Sequence, residues 1–323
     1  MARYIERAEN LARVLDVHET FSRDSRGGQN WTSVLQLYAD DARFLEAHDE
    51  ATAEAVIHFY MLDQANPSSV IACVHMAREN ARALRPLIST EMWTQLNMFY
   101  NQLKSLDNSA LDEPRLARLC GRIKEACQAH TGITEGTFYR DEGWSFYQLG
   151  RNLERSDQTT RLVDVKYHLL LPRPEDVGSP SDVSQWNAVL RSAAGFHAFR
   201  RVHPSGMSPD AVADFLLFNR CFPRSVLACV AIAAETVDAL GQAAAVETDA
   251  LQALQNLRRS LKQETIDSVI ARGLHEYLDL IQQELISVGL RLGRDFFGYA
   301  EPPDAPEEPG AIPRETADSA MNA

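Results

Sequence analysis

Apolar residues recur every three to four positions along most of the chain, which is the spacing of amphipathic α-helices. Between residues 70 and 84 this spacing is carried by Val70, Cys73, Val74, Ala77, Ala81 and Leu84. No stretch shows the alternation of apolar and polar positions between hairpin turns that is typical of strands. The pattern therefore predicts an all-α protein. Its predicted helices span residues 1–22, 30–46, 50–64, 68–88, 91–105, 113–131, 138–170, 182–200, 208–219, 223–242, 246–260 and 264–296.

The chain also repeats itself. Residues 54–84 align without gaps with residues 210–240, at a fixed offset of 156, and 13 of the 31 positions are identical. The segment Arg3–Arg13 returns as Arg151–Arg161, at an offset of 148, with the pattern R-x-[IL]-E-R-[AS]-[DE]-[NQ]-x-x-R. A repeat of this length indicates a duplicated domain and not a solenoid. We therefore predict an internally duplicated helical bundle with two pseudo-symmetric, multi-helix repeats.

The two predicted repeats are residues 1–137 and 138–299, packed together as one domain. Pro, Glu, Asp and Ala dominate residues 300–323 without any apolar period, so we predict a disordered acidic tail there. An aromatic stretch from Phe138 precedes the second copy of the Glu-Arg segment, whereas the first copy begins at Met1. A mis-set start or an N-terminal truncation would explain this difference.

The net charge, the hydropathy pattern and the cysteines narrow the possible partners and the cellular compartment of the protein. The formal net charge of −13 argues against nucleic acid and anionic membrane surfaces as partners. No apolar run approaches the roughly 20 residues that span a bilayer. Five cysteines without a C-x-x-C pair are typical of a reducing cytoplasm. Cys73 and Cys229 occupy equivalent places in apolar runs, and Cys120 and Cys127 share a helical face, so all four are predicted to lie in the core.

The repeated Glu-Arg pair allows two interpretations. Glu6 lies opposite the apolar face of its helix, and Arg7 lies at the boundary. A solvent-exposed helix face would tolerate substitutions, yet the pair recurs as Glu154 and Arg155. In a catalytic interpretation, Glu6 or Glu154 is a general base whose pKa is raised by burial. Arg7, Arg78 or Arg155 would then hold a substrate carboxylate.

A second acidic residue is present in both copies, as Glu79 and Glu235. Each lies in line with small and apolar residues of its helix, which predicts burial. A buried carboxylate without a partner is costly, so each is expected to have a cation. We hypothesise that Arg7 binds Glu79 and that Arg155 binds Glu235, giving one buried ion pair per repeat. This structural interpretation is preferred to the catalytic one.

The first copy carries a polar cluster that the second copy lacks. His75, Arg78, Glu79 and Arg82 lie within two turns of one helix, and Arg78 and Arg82 have no counterpart in the second copy. Arginine forks could bind an anion or a substrate carboxylate at this position. A solvated helix face is the alternative.

Recognisable catalytic motifs are absent from the sequence. No E-x-x-H, H-E-x-x-H, G-x-S-x-G, P-loop or G-x-G-x-x-G pattern occurs. We therefore predict no metal and no cofactor, and whether the protein is an enzyme stays open.

With these motifs in hand, the chain resembles the bacterial alpha-E family, an all-helical group named for its Glu-Arg motif. The matching segments are Ala2–Arg13, Ala77–Arg82, Glu91–Trp93, Gly150–Arg161, Asp164–Tyr167 and Phe222–Val226. The resemblance implies a genomic companion, sometimes fused, of circularly permuted ATP-grasp ligases, often beside transglutaminase-like cysteine peptidases. ATP-grasp enzymes activate a carboxylate as an acyl phosphate and join it to an amine.

Two functions fit this resemblance. The first is a non-catalytic helical partner of an ATP-grasp amide ligase, in which the Glu and Arg side chains bind one another. The second is an enzyme of the same pathway acting on an amino-acid or peptide conjugate, in which Glu and Arg residues from both copies line one pocket. A structural dimerisation module is a third and weaker alternative.

Overall fold

The computed structural model describes residues 1–24, 31–112, 115–169, 180–204, 206–244 and 248–299. Within these ranges the chain forms fifteen α-helices, one short 3₁₀ helix at Asn108–Leu111, and no strand. The prediction of an all-α protein is therefore confirmed. The predicted acidic tail lies outside the described residues. The helices are α1 (Ala2–Asp24), α2 (Thr32–Tyr38), α3 (Asp41–Leu45), α4 (Ala53–Met61), α5 (Val70–Ala83), α6 (Thr90–Lys104), α7 (Arg115–Thr137), α8 (Glu142–Leu169), α9 (Pro180–Ser192), α10 (Phe196–Val202), α11 (Pro209–Phe218), α12 (Val226–Ala244), α13 (Asp249–Gln263), α14 (Ile266–Arg272) and α15 (Leu274–Phe297).

Three predicted helices are each split in two. The breaks separate α2 from α3, α9 from α10, and α14 from α15. They lie at or beside Ala39, Ala194 and Gly273, whose φ angles of 53°, 56° and 110° are incompatible with a continuing right-handed helix. The first two breaks leave no signal in the sequence, because alanine is a strong helix former and the apolar period continues across them.

Helices α1 and α8 occupy the centre of the fold. Helix α1 packs against α5, α7, α8 and α9, while α8 also packs against α12 and α15. Ala8, Leu11, Ala12 and Leu15 of α1 are buried, and each buried leucine stabilises the fold by about 1.5–3 kcal/mol. Because neighbours surround α1 on several sides, its polar face is buried as well. The Glu-Arg motif therefore faces α8 and not solvent.

The cysteines and the helix starts follow the sequence pattern. Cys73, Cys120, Cys127 and Cys229 are all buried in the core, as predicted. Helices α5 and α12 begin after Ser69 and Ser225, whose hydroxyls accept the backbone N–H groups three residues later. A serine at this position satisfies one of the free donors at a helix N-terminus.

One aromatic cluster occurs twice. In each case a phenylalanine stacks on a histidine four residues later and meets a second phenylalanine edge to face. The members are Phe44, His48 and Phe59 in one cluster, and Phe199, His203 and Phe215 in the other. The stacked rings have centroids 4.5 and 4.6 Å apart, and the edge contacts measure 5.2 and 5.5 Å. Corresponding members lie 155 or 156 positions apart in the sequence, which matches the offsets of the repeat.

Candidate functional site

The packing of α1 against α8 brings the two Glu-Arg pairs face to face, and each arginine binds the glutamate of the other helix. The Nε and Nη2 atoms of Arg7 donate to the Oε1 and Oε2 atoms of Glu154, at 2.6 and 3.0 Å. The Nε atom of Arg155 lies 2.9 Å from Oε1 of Glu6. Each helix thus supplies the arginine that binds the glutamate of the other helix, and we call these contacts the crosswise Glu-Arg pairs.

Glu154 has no accepting capacity left. Its Oε1 atom also accepts from Nε2 of Gln158 at 3.2 Å, and its Oε2 atom accepts from Nε of Arg3 at 3.0 Å. With the two bonds from Arg7, these four donors match the four lone-pair sites of a carboxylate. Burial acts to raise the pKa of Glu154, but the hydrogen bond and charge of Arg7 and the charge of Arg3 outweigh it, and the pKa is lowered. Glu154 therefore stays ionised at neutral pH.

Glu6 is neutralised by two arginines. Arg155 and Arg224 both contact its Oε1 atom, and the Glu6 side chain is buried. Burial acts to raise the pKa of Glu6, but the charges of Arg224 and Arg155 are stronger and the pKa is lowered. Nη2 of Arg224 also lies 3.3 Å from Oε1 of Glu9. Since Arg224 directly precedes the cap of α12, these contacts tie the start of α12 to α1.

Arg224 is a site residue that the repeat does not predict. At the offset of the repeat it aligns with Ser68, so a comparison of the two copies directs attention away from it. The signal that could have identified it was its place in the Phe222–Val226 segment, which carries part of the family resemblance.

Amide side chains extend the contact between α1 and α8. Nδ2 of Asn10 donates to Oε1 of Gln158 at 2.7 Å, and Gln158 in turn donates to Glu154. Asn10 also donates to the hydroxyl of Tyr38 at 3.4 Å. Asn10 and Gln158 are both buried, and an unpaired buried amide would cost about 1–3 kcal/mol. The network is therefore a connected polar layer inside an apolar bundle.

The predicted ion pairs of Arg7 with Glu79 and of Arg155 with Glu235 are wrong. Glu79 lies 2.7 Å from Nη1 of Arg78 and 2.6 Å from Nη2 of Arg82 on its own helix. The Glu235 side chain is 66% exposed and pairs with Arg258 of α13.

The error has a physical cause. The stripe of α5 that contains Glu79 is small and apolar, which predicts burial. Met76, in the same stripe, is 40% exposed. Small residues on one helix face do not specify burial, and here Met76 and Glu79 on that face are both partly exposed.

The structure brings Arg78, Glu79 and Arg82 together, as the sequence predicted, but they bind one another. Arg78 also donates to Asn97 at 2.8 Å, and its guanidinium lies 5.4 Å from the ring centroid of Trp93. Its charge is therefore held by a carboxylate and an aromatic face. Of the other predicted substrate anchors, Arg7 and Arg155 are engaged in the crosswise pairs between α1 and α8 and contribute nothing to this cluster.

A further titratable cluster joins α8 and α15. Nδ1 of His275 lies 2.8 Å from Oδ1 of Asp164, and its Nε2 lies 3.5 Å from Oδ2 of Asp279. One histidine and two carboxylates could in principle ligate a divalent metal. The hydrogen bond with Asp164, however, raises the pKa of His275. This shift favours the imidazolium form, so the three side chains form an ion-pair network between α8 and α15.

Helix α12 is the one helix in the described part of the chain that is long and apolar enough to cross a bilayer. Half of its most apolar window is buried inside the fold, where α12 packs against α8 and α13. The core helix of a globular protein meets the same criterion. This feature is therefore weak evidence for a membrane span.

Comparison with known proteins identifies the family of this chain. Uncharacterised proteins of Mycobacterium bovis and Mycobacterium tuberculosis are 24% identical to the chain over 252 residues. The match covers 70% of this chain but 27% of each relative, so the chain spans about a quarter of their length. No solved structure matches the chain. The Alpha-E family, described as a predicted alpha-helical domain with a conserved ER motif, matches residues 1–297. The chain therefore belongs to the Alpha-E family.

Proposed function

We propose that this chain is a non-catalytic helical partner protein, in which the Glu-Arg motif locks the two halves of the bundle together. The saturation of Glu154 by four donors carries this proposal. A general base needs a free lone pair and a pKa near the working pH. The pKa values of Glu6 and Glu154 are both lowered, which is the opposite of what the catalytic interpretation requires.

We also propose that the bundle is an internal duplication, with residues 1–137 and 138–299 as two pseudo-symmetric repeats. In a two-fold arrangement, residue i of one unit contacts j of the other, while j contacts i. The crosswise Glu-Arg pairs follow this rule. The contact between Asn10 and Gln158, which are equivalent positions, supports it, as does the aromatic cluster that occurs twice.

The partner we propose is an ATP-grasp-type amide ligase, with a transglutaminase-like protein as a second component of the same system. This proposal rests on the family resemblance. The length of the mycobacterial relatives supports it, because the matching region there is one part of a larger chain. We place the system in the cytoplasm, in keeping with five free cysteines.

Co-purification with the candidate ligase, followed by an assay of ATP-dependent amide formation, tests the proposal. The wild type is compared with Glu154→Gln, Arg155→Met and the matched control Glu235→Gln, each normalised to its folded fraction. We expect the folded fraction of every variant to bind the ligase and support wild-type product formation. A folded Glu154→Gln variant that binds the ligase but loses product formation by about 100-fold or more would instead establish the enzyme alternative.

A further inference from the structure

A cavity of about 620 Å³ lies between α1, α7 and the break that joins α9 to α10. Its wall includes Arg13 and Asp16 of α1, Lys124 of α7, and Arg191, Phe196 and His197 on either side of the break. We propose that this cavity binds a small organic anion, in which a carboxylate or phosphate group is attached to an aromatic or apolar frame. This inference goes beyond the proposed function and does not depend on it.

The cavity is cationic although the protein is acidic. Arg13, Lys124 and Arg191 line it beside one carboxylate, Asp16, in a chain whose formal net charge is −13. Arg13 is held by Glu9 at 2.6 Å and Lys124 by Asp16 at 2.6 Å, so both are fixed in the wall with their charges compensated, and Arg191 supplies the net positive charge. Cations already oriented by neighbouring groups bind an anion at a lower entropic cost than mobile ones.

Arg191 is the cation available for a ligand. Its guanidinium lies 4.4 Å from the ring centroid of Phe196. Among the described residues it forms no ion pair, and Asp16, the one carboxylate in the cavity lining, is paired with Lys124. An aromatic ring stacked on a guanidinium covers one flat face of the group, and the N–H groups, which point outward in its plane, stay available to an acceptor. Those N–H groups match the two oxygens of a carboxylate or phosphate.

The local backbone explains why Arg191 and Phe196 meet. Ala194 adopts a left-handed φ of 56°, and this ends α9 and lets α10 begin in a new direction. Ala194 itself lines the cavity. The turn therefore places a cation and an aromatic ring from two different helices on one wall, which is a combination that holds an organic anion at both its charged and its apolar end.

The corresponding residues of the first copy do not form such a site. At the offset of 155, which aligns Trp186 with Trp31, Arg191 is replaced by Gln36, Phe196 by Asp41 and His197 by Ala42. These replacements remove the cation and the aromatic ring and add a negative charge. The crosswise Glu-Arg pairs involve neither Arg191 nor Phe196, so those pairs do not account for these two residues. A ligand site in one half is a reason for them to differ.

Calorimetric titration with phenyl phosphate and with hippurate, which carries an aromatic ring and a carboxylate, tests the proposal. Hippuramide is the uncharged control and inorganic phosphate the control without a ring. We expect one or both organic anions to bind with sub-millimolar affinity, and hippuramide and inorganic phosphate to bind at least about tenfold more weakly. Arg191→Ala should weaken binding by about tenfold or more, and Phe196→Ala by several-fold, in keeping with a charge-assisted hydrogen bond and an aromatic contact.

Arg122→Ala is the matched control, because it removes one positive charge from an exposed position on α7 that does not line the cavity. Its affinity should stay within about twofold of the wild type. The proposal is overturned if neither organic anion binds, if inorganic phosphate binds as tightly as phenyl phosphate, or if Arg122→Ala weakens binding as much as Arg191→Ala. Thermal unfolding of each variant verifies that the compared proteins are folded.

Discussion

The guanidinium of Arg7 holds both carboxylate oxygens of Glu154, a residue 147 positions further along the chain. Arg155 makes the equivalent contact to Glu6. The two copies of the motif, which are far apart in the sequence, therefore bind each other in the structure. A local pair within one helix would contribute only about 0.2–0.5 kcal/mol. A buried pair that joins two central helices has a larger role, since either residue without its partner leaves an uncompensated charge in the core.

Replacing a motif glutamate should destabilise the protein strongly. Glu154→Gln removes the charge but keeps the shape, and it leaves Arg7 without a counter-charge. We expect the free energy of unfolding to fall by about 3–5 kcal/mol. Urea unfolding followed by circular dichroism measures the change. The matched control Glu235→Gln, at an exposed position, should stay within about 0.5 kcal/mol of the wild type, and an equal loss in both variants would remove any special role for the motif.

Acid should unfold the protein by protonating the two motif glutamates. Their folded-state pKa values lie below the unfolded value of 4.5, so the unfolded chain binds more protons on acidification. The stabilisation is fully present above pH 4.5 and is lost as the pH falls through the folded pKa values. Unfolding free energies measured from pH 6 downward should show this loss in the wild type, and a smaller loss in Glu154→Gln. Identical pH profiles would contradict the lowered pKa.

His130 should make the free energy of unfolding depend on pH in a range above that of the two motif glutamates. Burial lowers the pKa of His130 from 6.5 to about 4, and its Nδ1 atom lies 3.2 Å from Oε1 of Gln95. The unfolded chain takes up this proton first, so stability falls as the pH drops from 6.5 towards 4. His130→Asn keeps a donor for Gln95 but cannot titrate. Between pH 6 and 5 the variant should lose about 1.2 kcal/mol less stability than the wild type. An unchanged slope would mean that His130 is accessible to protons in the folded state.

Thiol labelling should separate one cysteine from the other four. Cys221 is exposed, whereas Cys73, Cys120, Cys127 and Cys229 are buried. Burial also raises the pKa of the Cys73 and Cys229 thiols to about 12, which keeps them protonated and unreactive. In native protein we expect rapid labelling by a thiol reagent at Cys221 alone, and labelling at all five sites in denaturant. Cys221→Ser should abolish the rapid phase, and rapid labelling of a second site would show that the core opens.

Much of the fold could be predicted from the sequence because helix formation and core cysteines depend on local periodicity. The apolar pattern gave the class and the approximate helices, and it placed Cys73 and Cys229 correctly. It could not give the breaks at Ala39 and Ala194, because alanine favours a helix and the left-handed conformation is imposed by packing.

The partners of the motif residues could not be derived in the same way. Repeat comparison identifies which residues are equivalent, but not whether equivalent residues pair within a copy or between copies. The repeat alone therefore predicts pairs of Arg7 with Glu79 and of Arg155 with Glu235, whereas in the structure Arg7 binds Glu154 and Arg155 binds Glu6. The distinction depends on the packing of α1 against α8, which no spacing along the chain encodes.

A pair of double-mutant cycles on the free energy of unfolding tests the crosswise Glu-Arg pairs most directly. The first cycle combines Arg7→Met with Glu154→Gln, and the second combines Arg7→Met with Glu79→Gln. We expect the first pair to deviate from additivity by about 1–3 kcal/mol and the second to be additive within about 0.5 kcal/mol. An additive first cycle, or equal coupling in both, would contradict the account.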